Sequence, residues 1–171
     1  GKNHVSRRTF LGFAGAAVMA FIGIVLGLAG LGSVLSPALK PRKLGEWVKL
    51  GKVDDFPTGQ PKKVDFSIFV HDGWLETSLS KSVWVVRQKG DSFVVYNSRC
   101  THLGCIVDWK RGDKGEAFYS PCHGGVFTID NKVIAGPPPR PLDSLDYKVE
   151  SGELSCKYLD YQLGITDKKP V

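Results

Sequence analysis

Acidic residues are missing from the first 43 positions, and the 171-residue chain holds only one Met and four Cys. Four cysteines are too few for a disulfide-dense scaffold, so position must account for each. Without acids to balance them, Lys2, Arg7, Arg8, Lys40, Arg42 and Lys43 carry the whole formal charge of +6. From Leu44 onward the basic and acidic side chains are equal in number. A neutral body removes the electrostatic argument for a nucleic-acid partner. Also missing are an internal repeat, a low-complexity tract and, beyond residue 35, any helical period sustained over ten residues. What is present, 42% hydrophobic and 11% aromatic residues, excludes a disordered chain and suffices for one core.

From Phe10 to Leu35 run 26 residues without a charge. At 1.5 Å per residue they make a helix of roughly 39 Å, longer than the ~30 Å hydrocarbon core and too long for a cleaved signal peptide. Ser36-Pro37-Ala38 has the small-residue look of a cleavage site, but the length predicts a retained anchor over 10–35. Gly23 and Gly27 have the small-xxx-small spacing of membrane helix contacts, or are simply part of a glycine-rich anchor. Flanking charges tie at three on each side, so they do not orient it. Ser6-Arg7-Arg8-Thr9-Phe10-Leu11 resembles a twin-arginine export signal. That resemblance implies residues 1–9 in the cytoplasm and a folded domain exported to the outer face of a bacterial membrane. Ser36 to Gly45, with Pro37 and Pro41, reads as a hinge linker ahead of a domain over 46–171.

That domain reads as strands. Val64–Val70, Val83–Val86 and Phe93–Tyr96 are β-branched and aromatic, with shorter candidates at Ala117–Tyr119, Val126–Ile129, Lys132–Ala135, Tyr147–Glu150 and Leu154–Tyr158. Turn signals at Lys89-Gly90-Asp91, Asp130-Asn131 and Ser151-Gly152 separate them. An all-β sandwich or barrel follows.

The chemistry sits between strands, in Cys100-Thr101-His102-Leu103-Gly104-Cys105 and Ser120-Pro121-Cys122-His123-Gly124-Gly125. Cys-x-His can aim a thiolate and an imidazole at one centre, and two such loops can grip a small cluster from both sides. These segments resemble the two cluster boxes of Rieske iron–sulfur proteins, and Gly136-Pro137-Pro138-Pro139-Arg140-Pro141-Leu142 resembles that family's proline loop. With the anchor, the likeness is to the iron–sulfur subunit of bacterial quinol–cytochrome c reductases, and it spans the chain.

The resemblance implies a Rieske-type antiparallel β fold holding a [2Fe–2S] cluster, with two Cys on one iron and two His on the other. Cys100, His102 and His123 match three ligands. Cys105 and Cys122 match a loop-tying disulfide absent from soluble Rieske ferredoxins, and Leu103, Gly104, Gly125, Phe127, Pro137 and Pro138 surround the cluster. The implied function is one-electron transfer from quinol, bound at a cytochrome b-type subunit, to a cytochrome c-type acceptor. His123 or His102 would bond the quinol and take its proton, and the domain would swing on residues 32–45.

Ser120 stands where the family has its second cluster cysteine. Three readings are open: a hydroxylate ligand, a chain whose cluster is lost or labile, or Cys122 as ligand in place of the disulfide. The last is the least attractive, because Cys122 adjoins His123. High-potential relatives carry Ser and Tyr where this chain has Gly125 and Phe127. The missing donors imply a lower potential and hence menaquinol. Competing readings are the exported Rieske subunit of an arsenite oxidase-type enzyme and a cluster-free structural subunit. A zinc site from Cys100, His102, Cys122 and His123 has suitable ligand types but leaves Cys105 and the proline loop unexplained. His4 and His71 read as ordinary histidines, Arg99 and Arg140 as solvated charges, Cys156 as core, and Trp47, Trp74, Trp84 and Trp109 as packing residues.

Overall fold

The computed structural model describes residues 6–39, 45–72, 75–90, 92–112 and 115–171. It divides into two units, residues 1–43 and 44–171. The first is one helix, α1 (Arg7–Leu39). Ser6 caps it, with the Thr9 N–H donating to Ser6 Oγ at 3.2 Å. Residues 7–36 are long and apolar enough to cross a membrane. The helix runs past the predicted end at Leu35, through Pro37. Pro37 forgoes one backbone bond, to the Ser33 carbonyl, and the good helix formers Ala38 and Leu39 follow it. The expected linker is therefore helical over Ser36–Leu39, while Lys40–Leu44, including Pro41, Arg42 and Lys43, lies outside the described residues, as do Lys2, His4 and Trp74.

The second unit is built on the alternation of side chains along one strand. β1 spans Glu46–Lys52, β2 Lys62–Asp72, β3 Leu75–Arg87, β4 Phe93–Asn97, β5 Asp108–Gly112 and β6 Gly115–Ser120. β7 spans Gly125–Phe127, β8 Val133–Ala135, β9 Ser144–Leu145, β10 Tyr147–Glu150 and β11 Glu153–Tyr158. They form sheets in the orders β1-β11-β10, β2-β3-β4-β9 and β5-β6-β7-β8. In β3, Val83 and Val85 enter a core with Leu154 and Cys156 of β11. Trp84 and Val86 point the other way, into a core with Phe118 and Phe127 of the third sheet. Period-two patterning on a strand buried on both faces places the β2–β3–β4 sheet between the other two.

All eight predicted strands are present, and β1, β5 and β9 are additional. β1 and β5 carry lysines, a tryptophan and glycines rather than β-branched runs, and β9 has two residues. Asn131 and Ser151 adopt positive φ (64° and 52°) at predicted turns, whereas Asp91 lies outside the described residues. Trp84 and Trp109 pack edge-on against Phe118, and Cys156 is fully buried. Trp47 is a correction: it is 46% exposed, with Lys148 Nζ 4.9 Å from its ring centre. Its place on β1 faces away from the core that Val48 and Leu50 meet. His71 lies in β2, paired with Glu76 of β3.

Candidate metal centre

The first box joins β4 to β5 and is closed at its base by backbone. Val107 N–H donates to Ser98 O (2.8 Å), Cys100 N–H to Cys105 O (2.8 Å) and Gly104 N–H to Cys100 O (2.8 Å). Gly104 has φ +83°, and a Cβ there would lie 2.8 Å from both an Arg99 nitrogen and Leu163, so the turn requires glycine. The second box is the β6–β7 hairpin turn, in which Ser120 pairs with Gly125 and Gly124 N–H donates to Ser120 O at 3.1 Å. The proline loop interlocks with that turn. A Cβ on Gly136 would meet the Gly124 carbonyl at 2.6 Å, and one on Gly125 would meet Pro138 Cγ at 2.8 Å.

These three segments bring the two histidines together, and two of the predicted cysteines. Cys105 and Cys122 are disulfide-bonded across the boxes. The His102 and His123 rings lie 4.7 Å apart, edge to face. Cys100 is a free thiol, buried behind the first box in the same core as Phe127. Ser120 is 1% exposed at the end of β6. Around this group, Leu103 and Pro137 are exposed, as is His123, whereas Gly125, Phe127 and Pro138 are buried.

The donor set fits a cluster better than a single ion. His102 Nδ1 is buried and has no hydrogen-bond partner, which is costly for an imidazole nitrogen unless something else takes its lone pair or proton. Among the described residues, no three His, Cys, Asp or Glu side chains group closely enough to hold one metal ion. The disulfide withdraws Cys122 as well, so neither the zinc reading nor Cys122 as an iron ligand survives. Of the predicted ligands, the His102 and His123 imidazoles and the free Cys100 thiol are left. The fourth position offers the Ser120 hydroxyl.

Two residues expected to be solvated charges are structural. Arg140 is 7% exposed and forks onto Asp143, with Nε to Oδ1 at 3.0 Å and one terminal nitrogen to Oδ2 at 2.8 Å. Arg99 reaches Asp160 at 2.9 Å, and Lys81 joins the same carboxylate at 2.8 Å. Burial pushes the Asp160 pKa up, but hydrogen bonds from Lys81, Arg99 and Tyr158 together pull it below the usual carboxylate value. Cys156 has only burial acting on it, which pushes its thiol up to about 12.

The Rieske [2Fe-2S] domain profile matches residues 46–146. Over 156 residues, covering 90% of this chain and 92% of the relative, the chain is 35% identical to the menaquinol:cytochrome c reductase iron-sulfur subunit of Bacillus subtilis. The same-named subunit of Geobacillus thermodenitrificans is 33% identical, with 90% and 91% covered. The cytochrome b6-f complex iron-sulfur subunit of Chlorobaculum tepidum is 30% identical, with 86% and 73% covered.

Proposed function

The chain belongs to the Rieske [2Fe-2S] family of quinol:cytochrome c reductase iron-sulfur subunits, and we propose that it carries single electrons from menaquinol to a cytochrome c-type acceptor within a cytochrome bc-type complex. The observation that carries this reading is the pair of imidazoles 4.7 Å apart, on loops tied by a disulfide and backed by a buried thiol. Cys100, His102 and His123 would hold the cluster, with Ser120 at the fourth position. When bound, the cluster supplies a one-electron acceptor and donor.

The chain's own residues do the rest. His123 stands exposed at the hairpin tip, where its imidazole can accept a hydrogen bond from a quinol hydroxyl and then hold the proton. Half-buried His102 is the second candidate for that bond. Leu103, 61% exposed, and Ile106, 42% exposed, add apolar surface beside it, suited to docking against a cytochrome b-type membrane subunit. The Cys105–Cys122 bond keeps the two boxes together while the tip docks and leaves. Gly125 and Phe127 place no side-chain donor near the cluster, which lowers its potential and supports menaquinol, as do the names of the Bacillus subtilis and Geobacillus thermodenitrificans relatives. The twin-arginine resemblance supports an N-terminus in the cytoplasm, with α1 as a single span and the β unit on the outer face.

Ser120 favours one second reading, a subunit that assembles without a cluster. Iron content, visible absorption and reduced-state EPR of the purified chain, beside Ser120→Cys, separate the two. A Rieske spectrum in the wild type, with a higher potential in Ser120→Cys, supports electron transfer with an oxygen ligand. A spectrum that only Ser120→Cys develops establishes the cluster-free subunit and overturns the proposal.

A further inference from the structure

The segment after β11 lies beyond residues 46–146, which the family profile covers. It nevertheless touches both the first box and the proline loop. Gly164 N–H donates to Thr101 O at 2.9 Å. Leu163 packs against Gly104, and the His102 carbonyl lies 3.6 Å from a Cβ built on Gly164. Asp160 holds Arg99, the residue before Cys100. On the other side, the Arg140 guanidinium donates to Gln162 O at 2.9 Å and to Ile165 O at 2.5 Å. The Arg140 carbonyl, in turn, accepts from the buried Thr101 hydroxyl at 2.6 Å. The circuit Thr101–Arg140–Gln162–Gly164–Thr101 is closed, and every member but the strap itself belongs to a box or the proline loop.

We infer that residues 160–165 form a strap that positions His102, with Arg140 as the positioning residue that locks the strap to the box. A buried guanidinium with four acceptors around it fixes both the strap and the proline loop, so its fork geometry matters as well as its charge. The strap does not reach His123 directly: among the described residues, its hydrogen bonds go to the first box and the proline loop and none goes to the second box. The inference rests on the reading of His102 as a functional imidazole. It concerns where that ring is held, not what it does there.

Full-length chain in detergent, stripped of iron, is treated with diethyl pyrocarbonate at fixed pH, and peptide mapping follows modification of each histidine. In the wild type, half-buried His102 reacts more slowly than exposed His123. Arg140→Lys keeps the charge and loses the fork. It should raise the His102-to-His123 rate ratio about tenfold, the factor carried by one lost hydrogen bond to a charged group. Thr101→Val, which cuts the circuit at the Arg140 carbonyl and leaves the guanidinium unaltered, should do the same to a smaller degree. If Arg140→Lys fails to fold, Thr101→Val carries the test alone. An unchanged ratio in a folded variant, or equal acceleration at both histidines, overturns the positioning role. That failure would leave the electron-transfer proposal standing, because the labelling reads ring accessibility and not cluster chemistry.

Discussion

Breaking the Cys105–Cys122 bond should cost the domain about 3 kcal/mol, and the route to that figure is the chain between the two cysteines. They are 17 residues apart in sequence. Closing a loop of that size removes unfolded-state entropy worth about 3 kcal/mol at room temperature. For a domain the size of residues 44–171, that translates into a fall in melting temperature of roughly 10 °C. The perturbation is reduction, with the double Cys105→Ala/Cys122→Ala variant as a control that leaves no odd thiol. Thermal unfolding of the whole chain in detergent, followed by near-UV circular dichroism, reads the shift. Thiol counting in denaturant without reductant should tag two cysteines, Cys100 and Cys156, the free pair. In the folded state Cys156 should resist labelling, since it is fully buried and its thiol is pushed up to about 12. Four reactive thiols in the unreduced chain, or a melting temperature that reduction leaves in place, would refute the reasoning.

Four further outcomes are expected. Phe127→Tyr in the cluster-loaded protein should raise the potential by roughly 40–130 mV in a redox titration, the worth of one hydrogen bond of 1–3 kcal/mol. Gly125→Ser alone should destabilise the loops, because its Cβ would meet Pro138 at 2.8 Å; paired with Pro138→Ala it should fold and raise the potential likewise. Protease added to intact spheroplasts should remove the β unit and leave α1 in the membrane, whereas protection of the β unit would refute the outward orientation. Asp160 has a folded-state pKa below its ordinary value of 3.8. Its stabilising effect is thus full above about pH 4 and is lost as pH falls through the lowered value. Asp160→Asn should weaken the domain at neutral pH and flatten the acid limb of a pH-stability profile. An unchanged acid limb would count against it.

Much of the site was legible in the sequence because its elements are short and local. Cys-x-His and the second box each lie within a few residues, so the tight loop and hairpin turn that carry them leave little freedom in where they point. The sandwich was legible for a similar reason, since Val83–Val86 of β3 and Phe93–Tyr96 of β4 are uninterrupted β-branched and aromatic runs. What escaped were features made by distant chain. Arg140 reads as a surface charge until the strap near Gln162 and Ile165 closes over it. β1 carries no strand signal of its own, and its pairing partner, β11, is roughly a hundred residues away. The helix end was misplaced by trusting Pro37 as a breaker, although α1 continues to Leu39.

The contact between Gly125 and Pro138 has a bearing on descent as well as on packing. A serine at 125 needs space that the proline ring already occupies, so a lineage cannot acquire the donor by one codon change and keep its loops. The smaller residue at 138 has to come first or together with it. Gly136 is held more tightly still, with backbone of the second box 2.6 Å from any side chain it would gain. Positions 125 and 138 are therefore expected to change as a pair across related genes while 136 stays fixed, so that a shift in quinone chemistry leaves its trace in the proline loop as well as in the box that faces the cluster.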